Sequence, residues 1–214
     1  HVSTDDGKTW TDVTPKILPV GEDNLPQWAL ISYVEPSHFD PAVCYVSATR
    51  YKSGDKKPYI LKTSDYGKTW TMITHGLKED VYNRCVREDP THKNILYAGM
   101  ETGIMISFDG GGNWQPLQLN LPNTPVHDIQ VQTRENDLVI ASHGRSFWIL
   151  DDITPIYQMN DDYDKIKNAN AWLYKPRNTY RFPLRADGEE TDNSHEGKNL
   201  PNGVILRYYF KTKP

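Results

Sequence analysis

The stretch of sequence that decides the fold is Thr63-Ser64-Asp65-Tyr66-Gly67-Lys68-Thr69-Trp70. Residues 3–10 and 107–114 repeat its pattern. The first residue is Ser or Thr, the third is Asp, the fifth is Gly, the seventh is Thr or Asn, and the eighth is Trp. The Trp residues of the three copies lie 60 and 44 residues apart. Self-similarity at such spacings indicates a repeat architecture, with each repeat forming one supersecondary unit.

A fourth, degenerate copy follows the third. A shift of 43 residues places Leu96-Tyr97-Ala98-Gly99 on Val139-Ile140-Ala141-Ser142, and Asp109 on Asp152, but the Gly and the final Trp of the pattern are lost. We therefore predict a last repeat whose turn is redirected at Thr154-Pro155, because Pro interrupts regular strand pairing.

Short apolar stretches dominate the chain before residue 150, and helical periodicity is nearly absent there. They occupy residues 43–47, 59–63 and 71–73 in one repeat, and residues 95–99, 103–107 and 115–119 in the next. Four short antiparallel strands in each repeat are typical of a β-propeller blade. The sequence thus predicts an all-β partial propeller, because three blades and a piece do not close a ring.

The repeated box has a local structural task. Its Asp can accept backbone N–H groups across a tight turn, its Gly can take a positive φ, and its Trp can pack on the sheet. A Ca²⁺ loop is the functional rival, but each box offers too few carboxylates for the six or more oxygens that Ca²⁺ takes. We therefore predict a structural role, with no metal and no cofactor, for these residues: Asp5, Gly7, Trp10, Asp65, Gly67, Trp70, Asp109, Gly111 and Trp114.

These boxes are Asp-boxes, and the chain resembles the C-terminal propeller blades of the bacterial BNR/Asp-box repeat proteins, a sortilin-like family often labelled glycosyl hydrolase. Residues 58–70 and 96–103 and the run Ser142-His143-Gly144-Arg145-Ser146-Phe147-Trp148-Ile149-Leu150-Asp151-Asp152 carry the likeness, which covers about residues 1–160. Sialidases and xyloglucanases also contain Asp-boxes, so the label implies hydrolysis without defining a reaction.

The resemblance also implies a domain organisation. Residues 1–152 form a partial propeller, the end of one blade plus three blades. Residues 153–175 form a connector, with a short helix or loop at 160–165. Residues 176–214 are similar to the family's lead-in to a C-terminal β-sandwich, although Asn199-Leu200-Pro201 replaces the usual Asn-Pro-Pro. We expect the strand at residues 204–210 to lack partners in this truncated β domain.

The ends and the composition of the chain set further expectations. The chain begins inside a repeat, so we expect a piece of a longer exported protein, extracellular, periplasmic or at the cell surface, whose partners include its remaining blades. With 24 basic and 28 acidic residues, the charge does not favour a nucleic acid partner. No apolar run approaches the roughly 20 residues of a membrane span. Cys44 and Cys85 are expected to be buried free thiols.

Propeller topology predicts where a ligand would bind. The Asp-box joins the third and fourth strands, so the turn between the second and third strands opens on the opposite face, where propellers usually bind their ligands. His143 and Arg145 lie in such a turn, where Arg can hold a carboxylate or sulfate and His can act as acid, base or ligand. The alternative is a closure device, in which Arg145 pairs with a carboxylate of a neighbouring blade and His143 bonds a backbone carbonyl.

Other residues on that face complete the candidates. Trp28 and Arg50 are predicted to bind ligand with His143 and Arg145, and Trp28 can stack on a sugar ring or a peptide side chain, or serve inter-blade packing. Glycoside hydrolysis requires two carboxylates, for which Glu101 and Asp128 are weak candidates outside any recognisable motif. The sequence therefore favours a non-catalytic module that binds a peptide or glycan. The alternative is a glycoside hydrolase with catalytic residues partly in other blades.

Overall fold

The computed structural model describes residues 1–17, 25–179 and 203–212. The chain forms two compact units, His1–Leu150 and Asp151–Pro214. In the described part, the first unit is built almost entirely of antiparallel strands, and the second combines two helices with a two-stranded sheet. The predicted all-β fold is confirmed for the first unit.

Two four-stranded antiparallel sheets form the centre of the first unit, and every strand pairs with its neighbour in sequence. This meander is the form of a propeller blade. Blade 1 consists of β1 (Leu30–Pro36), β2 (Cys44–Arg50), β3 (Asp55–Thr63) and β4 (Thr71–Met72). Blade 2 consists of β5 (Asn83–Glu88), β6 (Leu96–Met100), β7 (Gly103–Ser107) and β8 (Gln115–Pro116).

The third sheet, blade 3, has three strands: β9 (Val126–Gln132), β10 (Asp137–Ser142) and β11 (Phe147–Leu150). Instead of a fourth strand, a helix begins at Thr154 with Pro155 in its first turn, which confirms the predicted redirection. Ahead of blade 1, residues 1–17 hold the first Asp-box, a bridge between Val2 and Thr11, and the short helix α1 (Thr14–Ile17).

All three Asp-boxes use the same hydrogen bonds. In the second box, Asp65 Oδ1 accepts the Thr69 N–H at 2.9 Å, and Oδ2 accepts the Thr69 hydroxyl at 2.6 Å. Asp5 and Asp109 accept the equivalent bonds from Thr9 and Asn113. The box glycines take φ values of +82° at Gly7, +79° at Gly67 and +94° at Gly111, as predicted.

The Trp residues of the boxes differ in burial, which the sequence did not predict. Trp114 is buried and donates its indole N–H to the carbonyl of Ile73, on the C-terminal side of blade 1, at 2.7 Å. Trp70 is partly buried, and Trp10 is 62% exposed. The repeat motif fixes the turn, whereas the burial of the ring depends on what the adjoining blade places over it.

The core lies between blades, because blades 1 and 2 pack face to face. All five residues of β6 are buried, as expected for a strand covered on both sides of its sheet. The side chain of Asn83 adds a polar tie, because its Oδ1 accepts the Tyr59 N–H at 2.6 Å and its Nδ2 donates to the Tyr59 carbonyl at 3.0 Å. These bonds fix the start of blade 2 against β3 of blade 1.

The second unit contains α2 (Thr154–Asp161), α3 (Tyr163–Asn168), β12 (Ala171–Leu173) and β13 (Tyr208–Phe210). The strand predicted over 204–210 is reduced to β13, and the expectation that it lacks partners was wrong, because β13 pairs antiparallel with β12. The structure gives the connector two helices where the sequence predicted one short helix or loop. Residues 199–201 lie outside the described residues, and the predicted domain boundaries remain predictions.

Two further expectations concern membranes and thiols. In the described segments, no helix has the length and apolar character that crossing a membrane requires. Cys44 and Cys85 are both free, the first partly and the second fully buried. Burial raises the pKa of Cys44 to about 11 and that of Cys85 to about 12. Both thiols are therefore protonated, poor nucleophiles near neutral pH.

Candidate functional site

One end of the blades gathers the turns that join second and third strands. In a meander, this end is also where the first strand of each blade begins, and the Asp-boxes lie at the other end. The 3₁₀ turn Tyr51–Ser53, the turn at Glu101 and the turn at residues 143–146 all belong to it. We call this end of the described blades the loop face.

A β-bulge recurs near the start of every first strand. The register shifts between Ile31 and Tyr33 in β1 and between Asn83 and Cys85 in β5. In blade 3, the neighbouring residues Ala141 and Ser142 of β10 pair with Asp128 and Val126 of β9, which leaves one residue of β9 between them. The extra residues are Ser32, Arg84 and His127. A bulge leaves one residue outside the ladder and re-aims its side chain, and bulges are common beside functional sites.

Arg84 is the most connected bulge residue on the loop face. Its Nε and Nη2 donate to Glu101 Oε2 at 2.9 and 2.6 Å, and Nη2 also donates to the Tyr82 hydroxyl at 3.0 Å. The guanidinium carbon lies 5.1 Å from the ring centre of Tyr51 and 4.9 Å from that of Tyr82, within cation–π range. Arg84 thus binds a carboxylate and two aromatic rings at once.

The two rings beside Arg84 are themselves stacked. The ring centres of Tyr51 and Tyr82 are 4.7 Å apart, with planes inclined by only 6°. Tyr82 is buried, and Tyr51 is partly exposed. Burial, reinforced by the Glu101 carboxylate, raises the pKa of Tyr82 to about 12. The stack joins the turn of blade 1 to the link that enters blade 2.

A pair of exposed histidines lies on blade 3. The rings of His127 and His143 stack with centres 5.0 Å apart. Desolvation lowers the pKa of His127, the positive charges of Arg84 and His143 lower it further, and the Glu101 carboxylate opposes them. The imidazole of His127 is therefore mainly neutral at pH 7. These residues form the loop-face cluster: Tyr51, Tyr82, Arg84, Glu101, His127 and His143.

A separate charged network ties the first strands of the three blades. Arg87 donates from Nη2 to Asp128 Oδ1 at 2.8 Å and from Nη1 to Glu35 Oε2 at 3.1 Å, and its guanidinium lies 4.0 Å from the ring centre of Tyr33. The Glu35 side chain is 7% exposed and that of Asp128 is 43% exposed. One arginine thus neutralises a buried carboxylate of blade 1 and a half-exposed one of blade 3.

The structure brings some of the sequence candidates together and separates others. Glu101 and His143 both belong to the loop-face cluster, whereas Asp128 is held by Arg87 and Glu101 by Arg84. Arg145 is exposed, and no hydrogen bond or ion pair of its side chain is found within the described residues; its carbonyl accepts the Trp148 indole N–H at 2.9 Å. The alternative pairing of Arg145 with a neighbouring carboxylate is therefore not seen there.

The remaining candidates lie elsewhere in the first unit. Trp28 is 82% exposed with a φ of +67° and lines a cavity of about 520 Å³ together with Trp10, Ile31 and other apolar side chains. Arg50 ends β2, and its Nε is buried without a hydrogen-bond partner in the described part of the chain. Neither residue contacts the loop-face cluster through a hydrogen bond, an ion pair or a ring contact found in that part.

Two members of the cluster, Arg84 and His127, were missed from the sequence. The shift of 43 residues that relates the last two repeats also places Arg84 on His127, so a polar residue at this strand position was a usable signal. Among the described residues, no group of three or more His, Cys, Asp and Glu side chains is arranged to hold a metal ion.

Antiparallel four-stranded meanders, in which an Asp-box joins the third strand to the fourth, define a protein of the β-propeller class. More particularly, residues 105–116, which contain most of β7, the third box and β8, match the BNR/Asp-box repeat model. This match covers one repeat, and the other boxes share its geometry.

Comparison with individual proteins gives more distant likenesses. The chain is similar to the probable oligoxyloglucan-reducing end-specific xyloglucanase of Neosartorya fischeri, 29% identical over 106 residues that cover 42% of this chain and 13% of that protein. The GH74 enzyme of Niastella koreensis gives a TM-score of 0.46 at 18% identity, covering 57% of this chain and 21% of the enzyme. A YCF48 structure bound to D1 peptide gives 0.41 at 17% identity, covering 57% and 37%.

Proposed function

We propose that this chain is a non-catalytic binding module that recognises a glycan or a peptide at the loop face. The observation that carries the proposal is the loop-face cluster. Three successive blades contribute to it, and two of its members, Arg84 and His127, occupy the recurring bulge. The remaining blades of the same protein would extend this face, and an exported location suits a module of this kind.

The chemistry of the cluster suits recognition. Tyr51 offers a partly exposed aromatic surface, held in place by its stack on the buried Tyr82. Arg84, His127 and His143 add hydrogen-bond donors and charge beside that surface. Aromatic surface bordered by a few oriented polar groups is the usual make-up of a ligand site. Because Arg84 is fixed by Glu101, little side-chain entropy is lost when a ligand binds it.

The state of the carboxylates favours binding over hydrolysis. A glycosidase needs one carboxylic acid that holds its proton and a second carboxylate facing it. Glu101 is paired with Arg84, and Asp128 is paired with Arg87. Each carboxylate is thus held by its own arginine, and within the described residues neither hydrogen-bonds nor faces the other as the two members of such a pair.

The second candidate function is glycoside hydrolysis by a larger propeller to which this chain contributes blades. Its support is the likeness to a protein named as a xyloglucanase, which extends over 106 residues. In this case, catalytic carboxylates would stand partly in other blades, and Glu101 or Asp128 would contribute one of them.

Titration of the protein with xyloglucan oligosaccharides, other glycans and peptides, with an assay for reducing sugar in parallel, distinguishes the two functions. A binding module is expected to bind without turnover, and Tyr51→Ala or Arg84→Ala should weaken binding by about tenfold or more, as for loss of an interface anchor. Lys68→Ala, in an exposed position of an Asp-box, is the matched control and should bind normally. Release of reducing sugar that Glu101→Gln or Asp128→Asn abolishes would establish the hydrolase instead.

A further inference from the structure

We infer that the loop face binds an acidic sugar, a uronate-type pyranose whose ring packs on Tyr51 and whose carboxylate is held by the protonated His127–His143 pair. This inference rests on the proposed binding function and names its ligand class. The juxtaposition that carries it is a partly exposed aromatic stack in contact with Arg84 and, on the next blade, a stacked histidine pair within reach of the Arg84 charge.

The charges around the histidine pair are unbalanced once the pair is protonated. Arg84 faces His127 from β5, Glu101 faces it from the turn between β6 and β7, and His143 stacks on it from the turn between β10 and β11. When both imidazoles are neutral, the positive charge of Arg84 is balanced by the negative charge of Glu101. With protonated imidazoles, three positive charges face one carboxylate, so a second, external carboxylate is favoured at this place.

Protonation and anion binding are therefore coupled. Desolvation and the positive charges of Arg84 and His143 lower the pKa of His127, so in the free protein this imidazole is protonated only at a lower pH than an ordinary histidine. A bound carboxylate offsets the repulsion of the His127 imidazolium by Arg84 and His143, and it therefore raises the pKa of His127. By linkage, the same carboxylate binds more tightly as the pH falls.

The aromatic stack selects a sugar over an acidic peptide. A glutamate or aspartate side chain would satisfy the histidines and leave Tyr51 uncovered, whereas a pyranose carries its carboxylate directly on a ring with an apolar face. Arg145, exposed in the same turn as His143, adds a further positive charge within this end of blade 3. A neutral sugar would use the ring and leave the histidines without an anion.

The experiment titrates the protein with oligogalacturonate, with its fully methyl-esterified form and with oligoglutamate, at about pH 5 and about pH 7.5, which bracket the histidine range. Oligogalacturonate is expected to bind about tenfold more tightly at the lower pH, the effect of about one unit of pKa change in one histidine. The ester should lose this gain. His127→Gln and His143→Gln should abolish the pH dependence, and His75→Gln, at the Asp-box end, should retain it.

A second readout follows the imidazole resonances of His127 and His143 by NMR, and their titration midpoints should move upward when oligogalacturonate is added. The inference is overturned, with the binding function intact, if the ester binds as tightly as the acid, if oligoglutamate reproduces the affinity and its pH dependence, or if both histidine variants keep that dependence. Failure of oligogalacturonate to bind or to perturb these resonances also overturns the inference, whereas failure of the xyloglucan oligosaccharides, other glycans and peptides as well would count against the proposed function itself.

Discussion

Arg84 donates two hydrogen bonds to the same oxygen of Glu101, at 2.9 and 2.6 Å, while its guanidinium lies beside the stacked rings of Tyr51 and Tyr82. The side chain comes from a bulge in β5, the carboxylate from the turn between β6 and β7 of the same blade, and Tyr51 from blade 1. A planar guanidinium can serve both kinds of contact at once, which an ammonium cannot.

The first prediction is that Arg84→Lys weakens ligand binding at the loop face far more than it lowers stability. Lysine keeps a positive charge beside Glu101, so the substitution loses hydrogen bonds of the guanidinium rather than the charge pair, and the free energy of unfolding should fall by about 1 kcal/mol. Ligand titration and urea unfolding of the same variant give both numbers.

Arg134→Lys is the matched control for Arg84→Lys, because Arg134 also pairs with a glutamate, Glu135, but has an 81% exposed side chain away from the cluster. It should change neither binding nor stability. If the two lysine variants bind ligand equally well, the shape of the Arg84 guanidinium has no part in recognition.

The second prediction concerns the network around Arg87. Arg87→Met should lower the free energy of unfolding by about 3 kcal/mol or more, because it leaves the Glu35 carboxylate, only 7% exposed, buried without its counter-charge. Asp128→Asn should cost clearly less, because that side chain is 43% exposed. Urea unfolding of both variants, compared with wild type, measures the difference.

A double variant checks the cause of that loss. Combining Arg87→Met with Glu35→Gln removes the unpaired charge, so the pair should be more stable than Arg87→Met alone. Equal stabilities of the single and double variants would mean that Arg87 acts through packing on Tyr33 rather than through charge.

The parts of the fold that local chemistry determines were predictable from the sequence. The hydrogen bonds from Thr69 to Asp65, and the positive φ of Gly67, lie within one eight-residue motif, so the motif alone specifies the turn. The strands on either side follow, because the turn fixes their pairing. The propeller-type fold was predictable for the same reason, since each repeat carries its own turn signal.

The functional cluster was only partly predictable, because packing between blades assembles it. Glu101 and His143 were found from their position in turns. Arg84 and His127 lie on bulges of two different blades, 43 residues apart, and only the packing of those blades brings them into one cluster. The pairing of β12 with β13 was missed similarly, since 34 residues separate Leu173 from Tyr208 in sequence, without a repeated motif between the two strands.

The third prediction is an acid-dependent loss of stability that Asp65→Asn should reduce. Hydrogen bonds from the Thr69 hydroxyl, and then from the Thr69 N–H, lower the pKa of Asp65 to about 2. Because the folded pKa lies below the unfolded value of about 3.9, the contribution is fully present above about pH 4 and is lost as the pH falls toward about 2.

Urea unfolding between about pH 2 and about pH 6, the range that covers both titrations, measures this contribution. Asp65→Asn should make the curve less steep over that window, while Glu79→Gln, at an exposed carboxylate outside any box, should not. A wild-type curve that Asp65→Asn does not alter would mean that the box carboxylate adds no pH-dependent stability.

The last prediction concerns the contact between blades at Gly111. A Cβ added there would lie 2.4 Å from Ile73 Cδ1, and the residue has a φ of +94°. Gly54, with a φ of +82° and no atom within 4 Å of the added Cβ, is the matched control for the backbone strain alone. Gly54→Ala should cost about 1 kcal/mol from the left-handed backbone, whereas Gly111→Ala should cost about 2 kcal/mol more from overpacking.

Ile73→Val tests the steric origin of that extra cost, because it deletes the Cδ1 atom that the new methyl group would meet. The penalty of Gly111→Ala should therefore be smaller in the Ile73→Val background, and this coupling appears in a double-mutant cycle of unfolding free energies. Similar costs for Gly111→Ala and Gly54→Ala, or a cycle without coupling, would show that the blades can separate slightly at this turn. The expected result would show that Gly111 has two roles. It takes the positive φ that the turn of the third Asp-box needs, and its missing side chain lets this box pack against Ile73, the residue that follows blade 1.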